Sequence, residues 1–139
     1  MSRTTGKILL VEDDNEFRAV LALALELEGF VVRQACDGEM ALQALTSEQP
    51  DLIISDLDMK GINGRSLCKY ARSDEVLSRI PFVVLSAFVD SRQSVTLADF
   101  PADCFVSKQV SIAHLVGVIK DLLSGSSRHA LVGRSQVIE

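Results

Sequence analysis

Short apolar runs alternate along the chain with longer segments in which apolar residues recur at helical spacing. The first short run, residues 8–11, is wholly apolar and too short for a buried helix, which indicates a strand covered on both faces. Four further short runs are predicted to be strands as well. The predicted strands span residues 8–11, 30–34, 52–55, 82–85 and 104–106.

The longer segments between these runs are predicted to be helices. Asp14 can serve as the N-cap of the first helix, and Gly29 ends it. A second helical stripe follows the turn signal Asp37-Gly38. The remaining helices are predicted over about residues 65–73, 90–99 and 111–123.

Strands that alternate with helices predict an α/β fold. The expected architecture is a doubly wound, five-stranded parallel sheet with helices on both faces, in three layers. We expect one domain over residues 1–124, followed by a flexible tail over residues 125–139 that begins Gly-Ser-Ser.

The composition excludes several other classes of protein. A net charge of -5 argues against a broad surface for nucleic acid. The odd number of cysteines and the absence of CxxC fit free thiols better than disulfides or a zinc site. No leader peptide and no apolar stretch long enough to span a bilayer is present in the sequence, so we expect a soluble, cytoplasmic protein.

Polar residues follow four of the five predicted strands. Glu12 and Asp13 follow the first strand, Asp56 the third, Ser86 the fourth and Lys108 the fifth. Each alone is an ordinary solvated residue or helix cap, but the carboxyl ends of parallel strands meet at one edge of the sheet. Three converging carboxylates favour Mg²⁺, and a hydroxyl and an ammonium beside it would bind phosphate.

Four segments in this order resemble the receiver domain of bacterial two-component response regulators. They are ILLVEDD, DLIISDLDMKGINGRSL, PFVVLSA and FVSK, and the resemblance covers about residues 7–123. It implies a flavodoxin-like fold and Mg²⁺-dependent phosphorelay signalling. It also implies that the protein is no enzyme beyond its own phosphoryl transfer and dephosphorylation.

The resemblance assigns a role to each site residue. It implies a phospho-acceptor, a switch hydroxyl, a phosphoryl-contacting lysine and an aromatic switch, which are Asp56, Ser86, Lys108 and Phe105. The implied Mg²⁺ ligands are the side chains of Glu12, Asp13 and Asp56 and the backbone carbonyl of Asp58.

The resemblance also implies partners. The phosphoryl donor would be a histidine kinase or a histidine phosphotransfer protein. A downstream protein would bind the face formed by the helix at 90–99, the strand at 104–106 and the helix at 111–123. We expect no direct contact with nucleic acid or a membrane, and a homodimer is left open.

The chain departs from the family pattern at several positions. Lys60 stands where proline is common, and Pro101 stands where a Gly-Ala turn is common. Gln109 replaces the proline that follows the lysine, and we expect a cis Lys108-Gln109 peptide so that Lys108 still points at the site. Phe88 is expected to shield the phosphoryl group from water and lengthen its lifetime.

Two other functions remain open at this point. Asp56-Leu57-Asp58 is also similar to the first motif of haloacid-dehalogenase-type phosphatases, although the acidic pair of that family comes late in the chain. A receiver-like module that acts by dimerisation without phosphorylation is the other alternative. A P-loop is excluded because GxxxxGK[ST] does not occur.

Overall fold

The computed structural model describes residues 6–87 and 102–125 and the backbone of Val137–Ile138. The predicted helix at 90–99 and the expectations for Phe88 and Pro101 lie outside the described residues. In the described part, no helix is both long and apolar enough to cross a membrane.

Strands and helices alternate as the sequence predicts. The strands are β1 (Lys7–Val11), β2 (Val31–Ala35), β3 (Leu52–Asp56), β4 (Phe82–Ser86), β5 (Cys104–Ser107) and β6 (Val137–Ile138). The helices are α1 (Asn15–Leu27), α2 (Gly38–Ser47), α3 (Gly64–Ser73) and α4 (Ile112–Ser124), and Leu77–Arg79 form a single 3₁₀ turn.

All pairs of neighbouring strands are parallel, and the sheet order is β2-β1-β3-β4-β5-β6. The doubly wound sheet of five parallel strands is therefore confirmed for β1–β5. Successive side chains of a strand point to opposite faces, so each strand feeds two cores. Leu9 and Val11 pack with α2 and α3, whereas Ile8 and Leu10 pack with α1 and α4.

Side-chain caps fix where each α-helix begins. Each capping oxygen accepts a hydrogen bond from the backbone N–H three residues later, which satisfies a donor that the helix itself leaves free. The caps are Asp14, Asp37, Asn63 and Ser111. The cap at Asp14 confirms the prediction for that residue. It also fixes the loop between β1 and α1.

The sixth strand is not predicted by the sequence. Val137 lies opposite Phe105 and Ile138 opposite Val106, so the end of the chain adds a short parallel strand to β5. No feature of the sequence indicated this pairing, in which the backbone groups of the two residues find partners on the edge of β5. Residues 126–136 and 139 are not described, and for them the tail stays a prediction.

The three cysteines carry free thiols. Cys68 and Cys104 are buried and Cys36 is half-buried, and their free state is the one expected from the sequence. Burial raises the pKa of Cys68 to about 11 and that of Cys104 to about 12, which leaves both thiols protonated and inert at neutral pH.

Candidate functional site

The carboxylates of three residues meet at the carboxyl edge of the sheet. Val11, the last residue of β1, lies opposite Ser55 in β3, so the residues that follow each of them emerge side by side. Ligand oxygens of Glu12, Asp13 and Asp56 all lie within 4.8 Å of one another. The structure thus brings together the acids that the sequence singled out.

The three acids differ in burial. Glu12 is fully buried, Asp56 is 5% exposed and Asp13 faces solvent. The Oε2 atom of Glu12 accepts the backbone N–H of Asp14 at 3.0 Å. Its Oε1 atom has no hydrogen bond of good geometry within the described part of the chain. A buried carboxylate oxygen whose hydrogen bonding is incomplete is a strong ligand for a cation that enters from the side of Asp13.

Lys108 is the cation already present beside these acids. Its Nζ atom lies 2.9 Å from Glu12 Oε1 and 3.3 Å from Asp56 Oδ1. Burial alone would lower the pKa of Lys108, but the contacts with Glu12 and Asp56 outweigh it and raise the pKa above its usual value. The ammonium therefore stays charged and balances part of the acidic cluster.

The pKa of Asp56 is raised from 3.8 to about 6. Burial is the largest cause, and the negative charge of Glu12 adds to it, whereas Lys108 and the backbone N–H of Asp58 oppose the shift. Asp56 is thus ionised at neutral pH, although burial and the charge of Glu12 make the ionised form unfavourable. A bound cation would offset this.

The peptide between Lys108 and Gln109 is trans, so the expected cis bond is wrong. Lys108 reaches Glu12 and Asp56 without it, because its backbone N–H donates to the Ser86 carbonyl at 2.9 Å and holds the residue beside β4. A cis bond before a residue other than proline would cost about 2.5–4 kcal/mol, and nothing in this geometry requires it.

Phe17 is a site residue that the sequence analysis did not identify as one. The Nζ atom of Lys108 lies 5.0 Å from the centre of the Phe17 ring, within the range of a cation–π contact. The only signal in the sequence was its place as the first apolar residue of α1, which suits a core position equally well.

Ser86 and Phe105 are placed on neighbouring strands. Ser86 ends β4 and is 7% exposed, close to the edge where the acids meet. Phe105 lies in β5 and is already buried, in the core under α2 and α3. An inward movement of Phe105 on phosphorylation therefore stays a prediction.

Asp58 and Lys60 lie in the loop between β3 and α3, and both are exposed. The backbone N–H of Asp58 hydrogen-bonds Asp56 and lowers its pKa. The role of the Asp58 carbonyl as a metal ligand stays a prediction.

The donor set fits Mg²⁺. It consists of oxygen atoms alone, it carries more negative than positive charge, and the buried Oε1 atom of Glu12 has Lys108 as its charged neighbour but, among the described residues, no hydrogen bond of good geometry. Hard divalent cations prefer carboxylate oxygens, and Mg²⁺ retains water ligands that the exposed side of Asp13 can admit.

Known proteins share this sequence pattern. The transcriptional regulatory protein CseB of Streptomyces coelicolor is 36% identical over 116 residues, which are 84% of this chain and 48% of that protein. The transcriptional regulatory protein GltR of Pseudomonas aeruginosa is 37% identical over 123 residues, which are 88% of this chain and 51% of that protein. The chain thus spans about half the length of the curated relatives it matches.

Solved structures share the fold. A putative response regulator from Chloroflexus aurantiacus superposes with a TM-score of 0.79 at 32% identity, covering 87% of this chain and 99% of that one. The response regulator TrrA of Thermotoga maritima, solved in complex with Mg²⁺ and BeF, gives a TM-score of 0.74 at 29% identity, covering 84% of this chain and 98% of that one.

The family itself follows from a match that spans both the sheet and the site. The sequence model of the response regulator receiver domain matches residues 8–120, from β1 into α4, and this stretch contains every residue of the acidic cluster. This chain therefore belongs to the receiver domain family of response regulators.

Proposed function

We propose that Asp56 accepts a phosphoryl group from a phosphohistidine of a histidine kinase or phosphotransfer protein. The observation that carries this proposal is the meeting of Glu12, Asp13 and Asp56 within 4.8 Å, with Lys108 in contact with two of them. A buried carboxylate in such a setting is a nucleophile whose charge is already partly balanced.

Glu12, Asp13, Asp56 and the carbonyl of Asp58 would hold Mg²⁺. When bound, Mg²⁺ would supply positive charge against the oxygens of the transferred group. The remaining chemistry belongs to the chain. A carboxylate oxygen of Asp56 forms the new bond to phosphorus, the bond from phosphorus to the donor imidazole breaks, and the imidazole leaves with the electron pair and takes up a proton.

Lys108 and Ser86 would act on the transferred group. The ammonium of Lys108 now lies between Glu12 and Asp56, and it offers a second positive charge to the phosphoryl oxygens. The hydroxyl of Ser86 would donate to a phosphoryl oxygen and so gain a contact that exists only after transfer. A charge-assisted bond of this kind contributes roughly 1.5–3 kcal/mol, enough to shift a population by about tenfold or more.

The signal would be read on β5 and the elements beside it. Phe105 lies in β5 and Lys108 directly follows it, so a change at the lysine would be passed to the surface along β5 and α4. The helix expected at 90–99 would complete this face, and it lies outside the described residues. The downstream partner, a homodimer, the cytoplasmic location and the lack of contact with nucleic acid or membrane all stay predictions.

The experiment is an intact mass measurement after incubation with Mg²⁺ and acetyl phosphate. The wild-type chain should gain the mass of one phosphoryl group, and Asp56→Ala should gain none. Asp121→Asn, which removes an exposed carboxylate on α4, is the matched control and should label like wild type.

The same experiment separates the alternatives. Labelling of Asp56→Ala at the wild-type level would overturn the assignment of the acceptor. No labelling of wild type would favour a receiver-like module that works without phosphorylation. Turnover of a phosphate monoester would favour the phosphatase, which the family match does not support, since receiver domains are not enzymes in the usual sense.

A further inference from the structure

Arg18 reaches back from α1 over the loop that carries the acidic pair. Its Nη1 atom donates to the backbone carbonyl of Glu12 at 2.6 Å, and its Nη2 atom donates to Asn15 Oδ1 at 2.8 Å. Its Nε atom donates to Gln34 Oε1 on β2 at 3.2 Å. One guanidinium thus joins the end of β1, the start of α1 and the neighbouring strand.

This contact fixes the backbone of Glu12 from both sides. The N–H of Glu12 donates to the Ala35 carbonyl at 3.0 Å, and Arg18 binds the Glu12 carbonyl. The peptide group that follows Glu12 is planar, so holding its carbonyl also sets the direction in which the chain enters Asp13. Arg18 is therefore placed to restrict how the backbone turns from Glu12 into Asp13.

Asp13 depends on this arrangement more than Glu12 does. The buried Glu12 carboxylate is held by the N–H of Asp14 and by Lys108. Asp13 is exposed, and its carboxylate is placed beside Asp56 by the course of the backbone. Fixing the Glu12 carbonyl is thus the direct way to fix the Asp13 side chain.

The charge of Arg18 makes this role distinguishable from simple electrostatics. A positive charge attached to the site repels a divalent cation, so its electrostatic effect is to weaken cation binding. A directional contact that orders the ligands has the opposite effect, because ligands that are already aligned lose less entropy on binding.

We propose that Arg18 is a positioning residue for the Mg²⁺ site and acts through the Glu12 carbonyl. This inference rests on the proposed function, since it concerns the same metal site. Removing partners that orient metal ligands typically costs about 10- to 100-fold in metal affinity. We expect Arg18→Ala to weaken Mg²⁺ binding to a similar extent.

The test is isothermal titration of the full chain with Mg²⁺, without any phosphodonor. Arg33→Ala is the matched control, because it removes an exposed arginine on β2 whose hydrogen bond goes to Ser47, away from the acidic cluster. Arg33→Ala should bind Mg²⁺ with wild-type affinity or slightly better, while Arg18→Ala binds about 10-fold or more weakly.

Arg18→Lys separates charge from geometry. It keeps the positive charge but cannot make the three directed contacts at once, so we expect weakened Mg²⁺ binding here too. Equal or tighter binding by folded Arg18→Ala would overturn the inference, as would equal weakening by Arg33→Ala. Absence of Mg²⁺ binding by wild type would instead overturn the proposed function.

Circular dichroism of each variant establishes that it is folded. If Arg18→Ala does not fold, Gln34→Ala replaces it, because Gln34 is exposed on the edge strand and holds Arg18 through Nε alone. Gln34→Ala should weaken Mg²⁺ binding by a smaller factor in the same direction. Unchanged affinity in Gln34→Ala together with unchanged affinity in Arg18→Lys would overturn the inference.

Discussion

Asp56 is held in a charged environment that the folded chain tolerates at a cost. Burial and the neighbouring Glu12 raise its pKa to about 6, and Lys108 compensates only in part. A carboxyl whose pKa is higher in the folded than in the unfolded state destabilises the fold when it is ionised. Ionised Asp56, the proposed acceptor, therefore lowers the stability of the fold.

Asp56→Asn should stabilise the metal-free protein in a pH-dependent way. The raised pKa favours folding below the unfolded value of 3.8, and this advantage is lost as the pH rises through about 6. The free energy of unfolding of the variant should thus differ little from that of wild type near about pH 4 and exceed it by up to about 3 kcal/mol near about pH 8. Urea denaturation in EDTA at both values measures this.

Asp121→Asn is again the control, and its stability should follow wild type at both values. A gain for Asp56→Asn that is the same at both pH values would contradict the assigned cause, because it would not arise from ionisation of Asp56.

Single residues were predictable where their position in the pattern was unusual. Glu12, Asp13 and Asp56 stood out because they come at the ends of predicted strands, and the structure brings them together. Arg18 contacts the Glu12 carbonyl, and the ring face of Phe17 contacts the Lys108 ammonium. Neither contact produces a recognisable sequence pattern. Contacts made by the backbone or by packing are invisible to a reading of side-chain types.

At the scale of elements, the turn from β3 to α3 is packed tightly against the backbone of Asp56. The N–H of Gly64 donates to the Leu57 carbonyl at 3.0 Å, which draws the start of α3 against the end of β3. A Cβ atom on Gly64 would collide with the carbonyl oxygen of Asp56. Only glycine fits at position 64, because the backbone of β3 occupies the space that a Cβ atom would need.

Gly64→Ala should destabilise the fold by about 1–3 kcal/mol, since rigid backbone rather than a flexible side chain must move. It should also slow labelling by acetyl phosphate, because the displaced atom belongs to Asp56. Urea denaturation and intact mass measure the two effects.

Gly117→Ala is the matched control for the same chemical change. Gly117 is exposed in the middle of α4, with open space where a Cβ would lie, so alanine should stabilise the helix by up to about 1 kcal/mol. A loss of stability in both variants, or in neither, would contradict the role of the Gly64 contact.

The elements themselves could be predicted because their periods differ. Short, mostly apolar runs of three to five residues and stripes at helical spacing identified β1–β5 and α1–α4 to within a few residues. Two features could not be predicted from these patterns: the trans peptide after Lys108 and the pairing of Val137–Ile138 with β5. Both depend on partners that are distant along the chain.

At the scale of the whole molecule, the carboxyl end of the sheet carries the candidate site and the amino end carries a stabilising ion pair. The carboxyl end carries the acidic cluster, and the amino ends of β4 and β5 are tied to α3 by a partly buried ion pair between Arg72 and Asp103. Arg72 Nη2 lies 2.7 Å from Asp103 Oδ2, and the same oxygen accepts the N–H of Phe82 at 2.8 Å. Arg72 Nη1 also donates to the Ile80 carbonyl at 2.9 Å.

Arg72→Ala should cost about 3 kcal/mol of stability, because it leaves the buried Asp103 without its guanidinium partner. The Mg²⁺ affinity of the folded variant should stay at the wild-type value, since the Arg72–Asp103 ion pair lies at the opposite end of the strands from the acidic cluster. Urea denaturation and calorimetric titration measure the two quantities.

Lys7→Ala is the control for this prediction. It breaks an exposed ion pair with Glu48, which solvent screens, so its loss of stability should be far smaller. Similar losses in both variants, or a change in Mg²⁺ affinity in Arg72→Ala, would contradict the separation of the two ends.

The pairing of Val137–Ile138 with β5 bears on how copies of the protein avoid one another. An uncovered border strand offers unpaired amide and carbonyl groups to any neighbouring chain, and such borders start aggregation. Here Val137 and Ile138 pair with part of the β5 border, and the exposed, charged side chain of Arg33 lies on the opposite border at β2. Strand addition by another molecule would therefore meet paired backbone at Phe105 and Val106 and a charged side chain at β2.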